Sequence, residues 1–337
     1  MASSTTSSTT AETRQWKERV CCIGAGYVGG PTMAVIAKHC PDVRVAVVDI
    51  DATRIAAWNS RSLPVFEPQL QETIDAAHAN GNLVFSTAID EEIDRADIIF
   101  VAVATPTKSY GRGSGKAFDM TYWDAVARNI ARVARSDKII VEKSTVPVRT
   151  AEKVIKILNA NRTSRHVKFH VVSNPEFLAE GSAIHNLEEP ERVLVGGNIT
   201  ANEDDDQDTL TTSAAIKRVC DIYAHWVPAE RIITTNLWSS ELAKLASNAF
   251  LAQRISSINA VSAMCEEVGA EVGDISRVLG MDPRINNKYL SASVGFGGSC
   301  LKKDVLALVY ICESYQLHEV AEYWKSVRCA MSNHVCQ

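Results

Sequence analysis

The chain has 337 residues, 46% of them apolar, and a formal net charge of −5: enough for two globular domains, with no basic excess to suggest nucleic acid. No apolar run approaches the ~20 residues that span a bilayer. The nine cysteines form no C-x-x-C pair and no Cys/His set at zinc spacing, which is the usage of a cytoplasmic, cytosolic protein without a metal site.

Residues 1–16 open with a Ser/Thr/Ala-rich stretch that lacks an apolar segment; they read as a disordered tail, not a secretory signal. Strand-like and helix-like patterns then alternate through residues 17–235, the mark of a doubly wound α/β domain. The pattern predicts strands over Val20–Ile23, Val43–Val48, Leu83–Ser86, Ile98–Val103, Lys138–Glu142, Val167–Ser173 and Val193–Val195. It predicts helices over Pro31–His39, Thr53–Asn59, Asp119–Ala134, Pro147–Asn159 and Ala214–His225. The acidic run within Ile199–Thr212 reads as a solvated loop. Residues 236–330 read as a helical domain and 331–337 as a tail. Its longest predicted helix, Trp238–Val268, has no Pro or Gly, a small/apolar stripe at Leu242, Leu245, Ala249 and Ala252, and a stop at Gly269. Such a length suits a span between domains or a subunit contact. Shorter helices are expected over Asp274–Leu279, Ile285–Leu290 and Lys302–Glu313.

Gly24-Ala25-Gly26-Tyr27-Val28-Gly29 follows the first strand, opens the first helix, and is followed by Asp49 at the end of the second strand. That is the context in which G-x-G-x-x-G binds a dinucleotide. Gly24 makes the tight turn, Gly26 lets the backbone approach a pyrophosphate, and Gly29 lets the helix close on the strand. Asp49 suits ribose hydroxyls and repels a 2′-phosphate, which favours NAD over NADP; Arg54 nearby is a residue type that can hold that phosphate. Val103-Ala104-Thr105-Pro106-Thr107 and Lys143-Ser144-Thr145-Val146-Pro147 each follow a strand, so both are expected at the same sheet edge.

The chemistry points to Cys300, set between Gly295-Phe296-Gly297-Gly298-Ser299 and Leu301-Lys302-Lys303-Asp304. Backbone N–H groups at a helix start and two neighbouring lysines favour the thiolate. Most other thiols fall in apolar patterns and read as core residues. Asn174-Pro175-Glu176-Phe177-Leu178-Ala179-Glu180-Gly181 puts two carboxylates in a loop after a strand. Lys244 and Asn248 share one helix face, as do Cys300 and Asp304. On spacing alone, Lys244 also reads as a snorkelling surface lysine and Asp304 as a helix-start charge.

These runs, together with Glu142–Val148, Ser240–Lys244 and Ala249–Arg254, occur in an order that resembles the UDP-glucose 6-dehydrogenase family of animals and plants, over about Val20 to Trp324. The resemblance implies an N-terminal Rossmann-type domain followed by a helical central domain. It implies that UDP-glucose is oxidised twice at C6 by NAD to UDP-glucuronate, with Cys300 carrying a thiohemiacetal and then a thioester. Glu176 would manage protons in hydrolysis, and Lys244 and Asn248 would stabilise the oxyanion. Thr145 and Asp304 would hold an ordered water and Lys244. Cofactor contacts would come from Gly24, Ala25, Gly26, Tyr27, Val28, Gly29, Asp49, Arg54, Val103, Thr105, Pro106, Thr107, Ser144, Thr145, Val146 and Glu180. Substrate contacts would come from Glu176, Phe177, Leu178, Ala179, Glu180, Lys244, Asn248, Arg284, Ser293, Gly295, Phe296 and Gly297.

Family members continue past Tyr323-Trp324 into a second Rossmann-like domain, and no second G-x-G turn follows here. The expectation is therefore a shortened member with impaired turnover. The alternatives are a non-catalytic NAD-binding subunit that pairs with a longer homologue, or a dehydrogenase for another sugar nucleotide. Ala104, Ser291 and Leu301-Lys302 depart from the family pattern. Apolar surface on the helices after Gly269 is expected to drive association into a homo-dimer or larger.

Overall fold

The computed structural model describes residues 15–198, 211–295 and 299–332. Most of the N-terminal tail, the whole of the acidic run, and Phe296 and Gly297 of the expected substrate loop lie outside the described residues. The first domain runs β1 (Glu18–Ile23), α1 (Gly29–His39), β2 (Val43–Val48), α2 (Ala52–Trp58), α3 (Leu70–Asn80), β3 (Leu83–Ser86), α4 (Ile89–Arg95), β4 (Ile98–Val101) and α5 (Thr121–Val133). It continues with β5 (Lys138–Glu142), α6 (Thr150–Asn161), β6 (Phe169–Ser173), α7 (Ala183–Glu188), β7 (Val193–Gly196), α8 (Thr212–Tyr223) and β8 (Ile232–Thr235).

The eight strands form one sheet in the order β3-β2-β1-β4-β5-β6-β7-β8. β1 to β6 pair in parallel; β7 meets β6 antiparallel at Ser173 and Gly196, and β8 runs parallel to β7. The central strands are near-continuous apolar runs because helices cover both faces. Period-2 alternation divides them. Val20, Cys22, Val45 and Phe100 join a core with α1, α3 and α8, whereas Cys21, Ile23, Ile99 and Val101 join another with α5 and α6. The strand order reverses between β1 and β4, which opens a crevice at the carboxyl ends of the strands.

The helical domain holds α9 (Leu237–Val268), α10 (Val272–Met281), α11 (Ser299–Ser314) and α12 (His318–Ser332). At 32 residues α9 is about 48 Å long. The Asn236 side chain caps it by accepting from Ser239 N–H at 2.8 Å, and Gly269 ends it at a φ of 72°. Ala249 and Ala252 leave room for α11 and α12 to close on α9 through Val305, Leu308 and Val327. Burying Leu245 completely contributes about 2 kcal/mol. Among the described residues no helix is long and apolar enough to cross a membrane.

Several elements differ from the sequence reading. Residues 285–290 form turns, not a helix, because Asn286 and Tyr289 take the left-handed conformation at φ 65° and 62°. α6 begins at Thr150 rather than Pro147, since Arg149 is left-handed at φ 74°. β4 stops at Val101, after which the chain turns into the crevice. Leu242 is 41% exposed, so the buried stripe of α9 runs through Leu245, Ala249 and Ala252 without it. Helices α3, α4, α7 and α12 and the four-residue strand β8 are additions to the predicted set; α12 carries the chain to Ser332.

Candidate active site

The cofactor cleft forms where β1, β2 and β4 end. Gly24 turns the chain out of β1 at a φ of 110°, and a Cβ there would lie 2.6 Å from Ala102 O. A Cβ on Gly29 would lie 2.0 Å from Gly24 O, so the helix start and the turn close directly on one another. Gly26 has no such neighbour within 4 Å; its bare backbone lines a cleft of about 940 Å³. Trp58 props the loop from behind, its indole N–H donating to Ala25 O at 2.9 Å while its ring stacks on Phe85. Val28 O accepts Thr32 N–H at 3.2 Å, within the first turn of α1. An open backbone at a helix N-terminus is what a pyrophosphate requires, so these residues fit NAD.

Asp49 is buried at the end of β2. One oxygen accepts Ala25 N–H at 2.8 Å and the other accepts Asp51 N–H at 2.9 Å. Arg54 lies 3.0 Å from Asp49 and 3.5 Å from Asp51. Two carboxylates thus take up the Arg54 charge, which weakens it as a holder of a 2′-phosphate. Val103, Ile50 and Tyr122 add an apolar wall, and Ala104 lies at its edge. Ser144 Oγ donates to Val103 O at 2.7 Å and Thr105 Oγ1 to Thr145 O at 2.7 Å, so the loops after β4 and β5 are tied together. Pro106 O accepts Asp119 N–H at 2.7 Å, Thr107 bridges Phe118, and Val146 is buried in the core below.

The loop after β6 supplies Glu176. One of its oxygens accepts Leu178 N–H at 2.7 Å; the other lies 3.0 Å from Lys244 Nζ. Lys244 is only 5% exposed, so it is a buried cation rather than a snorkelling one. The Phe177 ring receives it at 5.5 Å and Arg192 at 4.0 Å. One turn along α9, Asn248 Nδ2 donates to Asp304 Oδ2 at 2.6 Å. Asp304 is buried and its Oδ1 meets no donor among the described residues. Burial raises its pKa, against the pull of Lys303, Asn248 and Lys244. Cys300 is exposed on α11, one turn before Asp304. Lys303 reaches away to Thr105 O at 3.4 Å and the Phe118 ring at 5.0 Å.

A cavity of about 420 Å³ opens beside these groups, with Glu176, Phe177, Leu178, Ala179 and Asn248 in its wall. The structure does not bring Arg284 to that wall; its guanidinium forks onto Asp282, with the shortest contact at 2.6 Å. Arg254 and Lys288 line the cavity instead. Arg254 ends a run already singled out in the sequence, and it donates to the carbonyls of Asn286 and Lys288. Ser293 Oγ donates to Gly295 O at 3.0 Å and Ser293 N–H to Asn259 Oδ1 at 2.9 Å, which orders the chain up to Gly295. Glu180 is exposed at the far end of its segment.

Three buried ionisable groups escape sequence reasoning. Lys143 Nζ donates to Asn174 Oδ1 at 3.1 Å and to the Tyr223 hydroxyl at 3.3 Å, and burial lowers its pKa to about 8. The Glu142 carboxyl faces Glu241, and neither of its oxygens meets a donor among the described residues. Burial and the nearby Glu241 push its pKa well above the carboxylate range, which favours the protonated acid. Glu241 in turn accepts Arg149 N–H at 2.6 Å and Ala151 N–H at 2.9 Å at the start of α6.

The NAD binding domain of the UDP-glucose/GDP-mannose dehydrogenase family matches residues 18–227, and the central domain of that family matches residues 238–332. UDP-glucose 6-dehydrogenase 3 of Arabidopsis thaliana is 59% identical over 309 residues, as is UDP-glucose 6-dehydrogenase 1 of Glycine max. Each alignment covers 92% of this chain, which spans only 62% of the length of those curated relatives. A solved UDP-glucose dehydrogenase from the archaeon Pyrobaculum islandicum superposes with a TM-score of 0.81 at 28% identity, covering 96% of this chain and 70% of that one. With an NAD-binding sheet and a helical domain both matched in order, the chain belongs to the UDP-glucose/GDP-mannose dehydrogenase family.

Proposed function

We propose that this chain oxidises UDP-glucose at C6 to UDP-glucuronate in two NAD-dependent steps, with Cys300 holding the intermediate. One observation carries the reading: the half-buried Glu176 pairs with the buried Lys244, and the buried Asn248 bonds Asp304, one helical turn from Cys300. Gly24 to Gly29 would hold the NAD pyrophosphate and Asp49 the adenosine ribose. Val103, Thr105, Pro106, Thr107, Ser144, Thr145, Val146 and Glu180 would line the nicotinamide half. NAD, when bound, accepts a hydride from the substrate carbon in each oxidation.

The chain's own residues do the rest. An aldehyde is a poor hydride donor until a nucleophile has added to it. Cys300 Sγ adds to the aldehyde carbon, a C–S bond forms, and the carbonyl oxygen takes a proton to give a thiohemiacetal. Lys244 and Asn248 donate to that oxygen while it carries charge. At the thioester, Glu176 accepts a proton from the attacking water, which Thr145 helps to orient; the C–S bond breaks and the thiol returns. Asp304 fixes the Asn248 amide, and with it the spacing of α9 and α11. The 176–180 segment, Ser293, Gly295, Phe296 and Gly297 would contact the sugar nucleotide, and Arg254 would take the place expected of Arg284.

A homo-oligomer is part of the proposal. α10 buries none of its residues, and Val278 and Met281 are 65% and 79% exposed. The cysteine usage supports a cytosolic setting. The test is to incubate the chain with UDP-glucose and NAD and to follow NADH absorbance and uronate together. Two NADH per uronate are expected, with uronate lost in Cys300→Ala. Retained NAD binding with no NADH formed would overturn the proposal in favour of an NAD-binding subunit that acts through a partner.

A further inference from the structure

Glu67 lies on the segment between α2 and α3 and is 6% exposed. Its Oε1 accepts both the Tyr27 hydroxyl and Gly181 N–H, the latter at 2.7 Å; its Oε2 accepts Ala183 N–H at 3.0 Å. Among the described residues no Lys or Arg forms an ion pair with it. A carboxylate removed from water is costly unless donors surround it, so these three donors determine where it sits. They come from two separate elements. Tyr27 belongs to the glycine-rich turn and lines the cofactor cleft. Gly181, at a φ of 85°, and Ala183 end the segment that carries Glu176 and Glu180. Nearer its start the segment is held by Lys244 on Glu176 at 3.0 Å, by Arg192 over the Phe177 ring, by Glu176 on its own Leu178 N–H and by Asn186 on Ala179 N–H at 3.0 Å.

We propose that Glu67 is a positioning residue that couples the glycine-rich turn to the carboxylate segment, so that a dinucleotide in the cleft sets the placement of residues 176–183. When the cofactor orders Tyr27, the shared oxygen of Glu67 is held, and the backbone at Gly181 and Ala183 is held with it. The inference rests on NAD binding in the cleft and not on the oxidation proposed above.

The test is hydrogen–deuterium exchange of peptides covering 176–183, with and without saturating NAD, in the full chain and in Tyr27→Phe. Saturation is set by each protein's own calorimetric titration. NAD should slow exchange of these peptides in the wild type. In Tyr27→Phe, which removes only the hydroxyl, the NAD-bound segment should exchange about tenfold faster, as expected for one lost charge-assisted hydrogen bond. If Tyr27→Phe fails to fold, Glu67→Gln, whose single acceptor oxygen cannot serve all three donors, is read in the same way. Equal NAD protection in wild type and variant, or NAD binding without protection at 176–183, would overturn the coupling and leave the cofactor reading standing. Absence of NAD binding by the wild type would remove both.

Discussion

Lys143→Met should make this protein more stable at neutral pH, and by an amount that depends on pH. Lys143 is buried, and its pKa falls from the ordinary 10.5 to about 8. Desolvation is the largest cause, offset in part by the attraction of Glu176. At about 1.4 kcal/mol per pH unit, the charged form costs the folded state about 3 kcal/mol relative to the neutral amine. Below pH 8 both states are protonated and the whole penalty applies. Between about pH 8 and pH 10.5 the unfolded chain binds more protons than the folded one, so stability rises with pH; above that range the penalty is gone. Methionine has a similar shape and no charge. Removing the ammonium leaves no orphan acceptor, because Tyr223 O–H still donates to Asn174 Oδ1 at 2.6 Å. The variant should therefore gain up to about 3 kcal/mol near pH 7, and the gain should shrink towards zero by about pH 10.5. Equilibrium urea unfolding of both proteins across this range measures the difference, and titrations common to both cancel. A difference that stays constant with pH, or a variant less stable than wild type at pH 7, would refute the reasoning.

Three further outcomes follow from the same structure. The wild type should lose stability as pH rises towards the elevated pKa of Glu142, because the folded state binds the extra proton; Glu142→Gln should flatten that slope in melts between about pH 5 and pH 9. Gly29→Ala places a methyl 2.0 Å from Gly24 O; a loss of about 2 kcal/mol or more and of calorimetric NAD binding is expected, and wild-type binding would contradict the close packing of turn and helix. Asn248→Ala leaves a second oxygen of the buried Asp304 without a donor and should cost about 2 kcal/mol by urea unfolding; a neutral result would mean that water satisfies Asp304.

Local spacing made much of the fold legible. All seven predicted strands are present: β2, β3 and β5 match residue for residue, and β1, β4, β6 and β7 differ only at their ends. Apolar runs between turn residues are read along the chain, and helices on both faces leave little room for another assignment. The 285–290 segment failed for the opposite reason. Its residues suit a helix, but Asn286 and Tyr289 adopt left-handed backbone where the segment meets Arg254, a residue far away in the chain. The candidate site divides in the same way. The i, i+4 pairs Lys244/Asn248 and Cys300/Asp304 are properties of single helices, so spacing alone brought each pair together.

The sequence by itself determined the α/β order, the glycine-rich turn, the acidic residue after β2 and the grouping of candidate catalytic side chains on two helices. Each of these depends on residues within a few positions of one another. Only the tertiary structure decided that Lys244 is buried against Glu176, that Arg54 is taken up by Asp49 and Asp51, and that Arg254 rather than Arg284 reaches the second cavity. The same holds for Glu67, whose bond to Gly181 crosses 114 positions, and for Asn248, whose bond to Asp304 crosses 56. A buried charge is defined by what the rest of the chain folds around it. Its partners, and the cost of its burial, exist only once the sheet and the long helix have brought distant segments together.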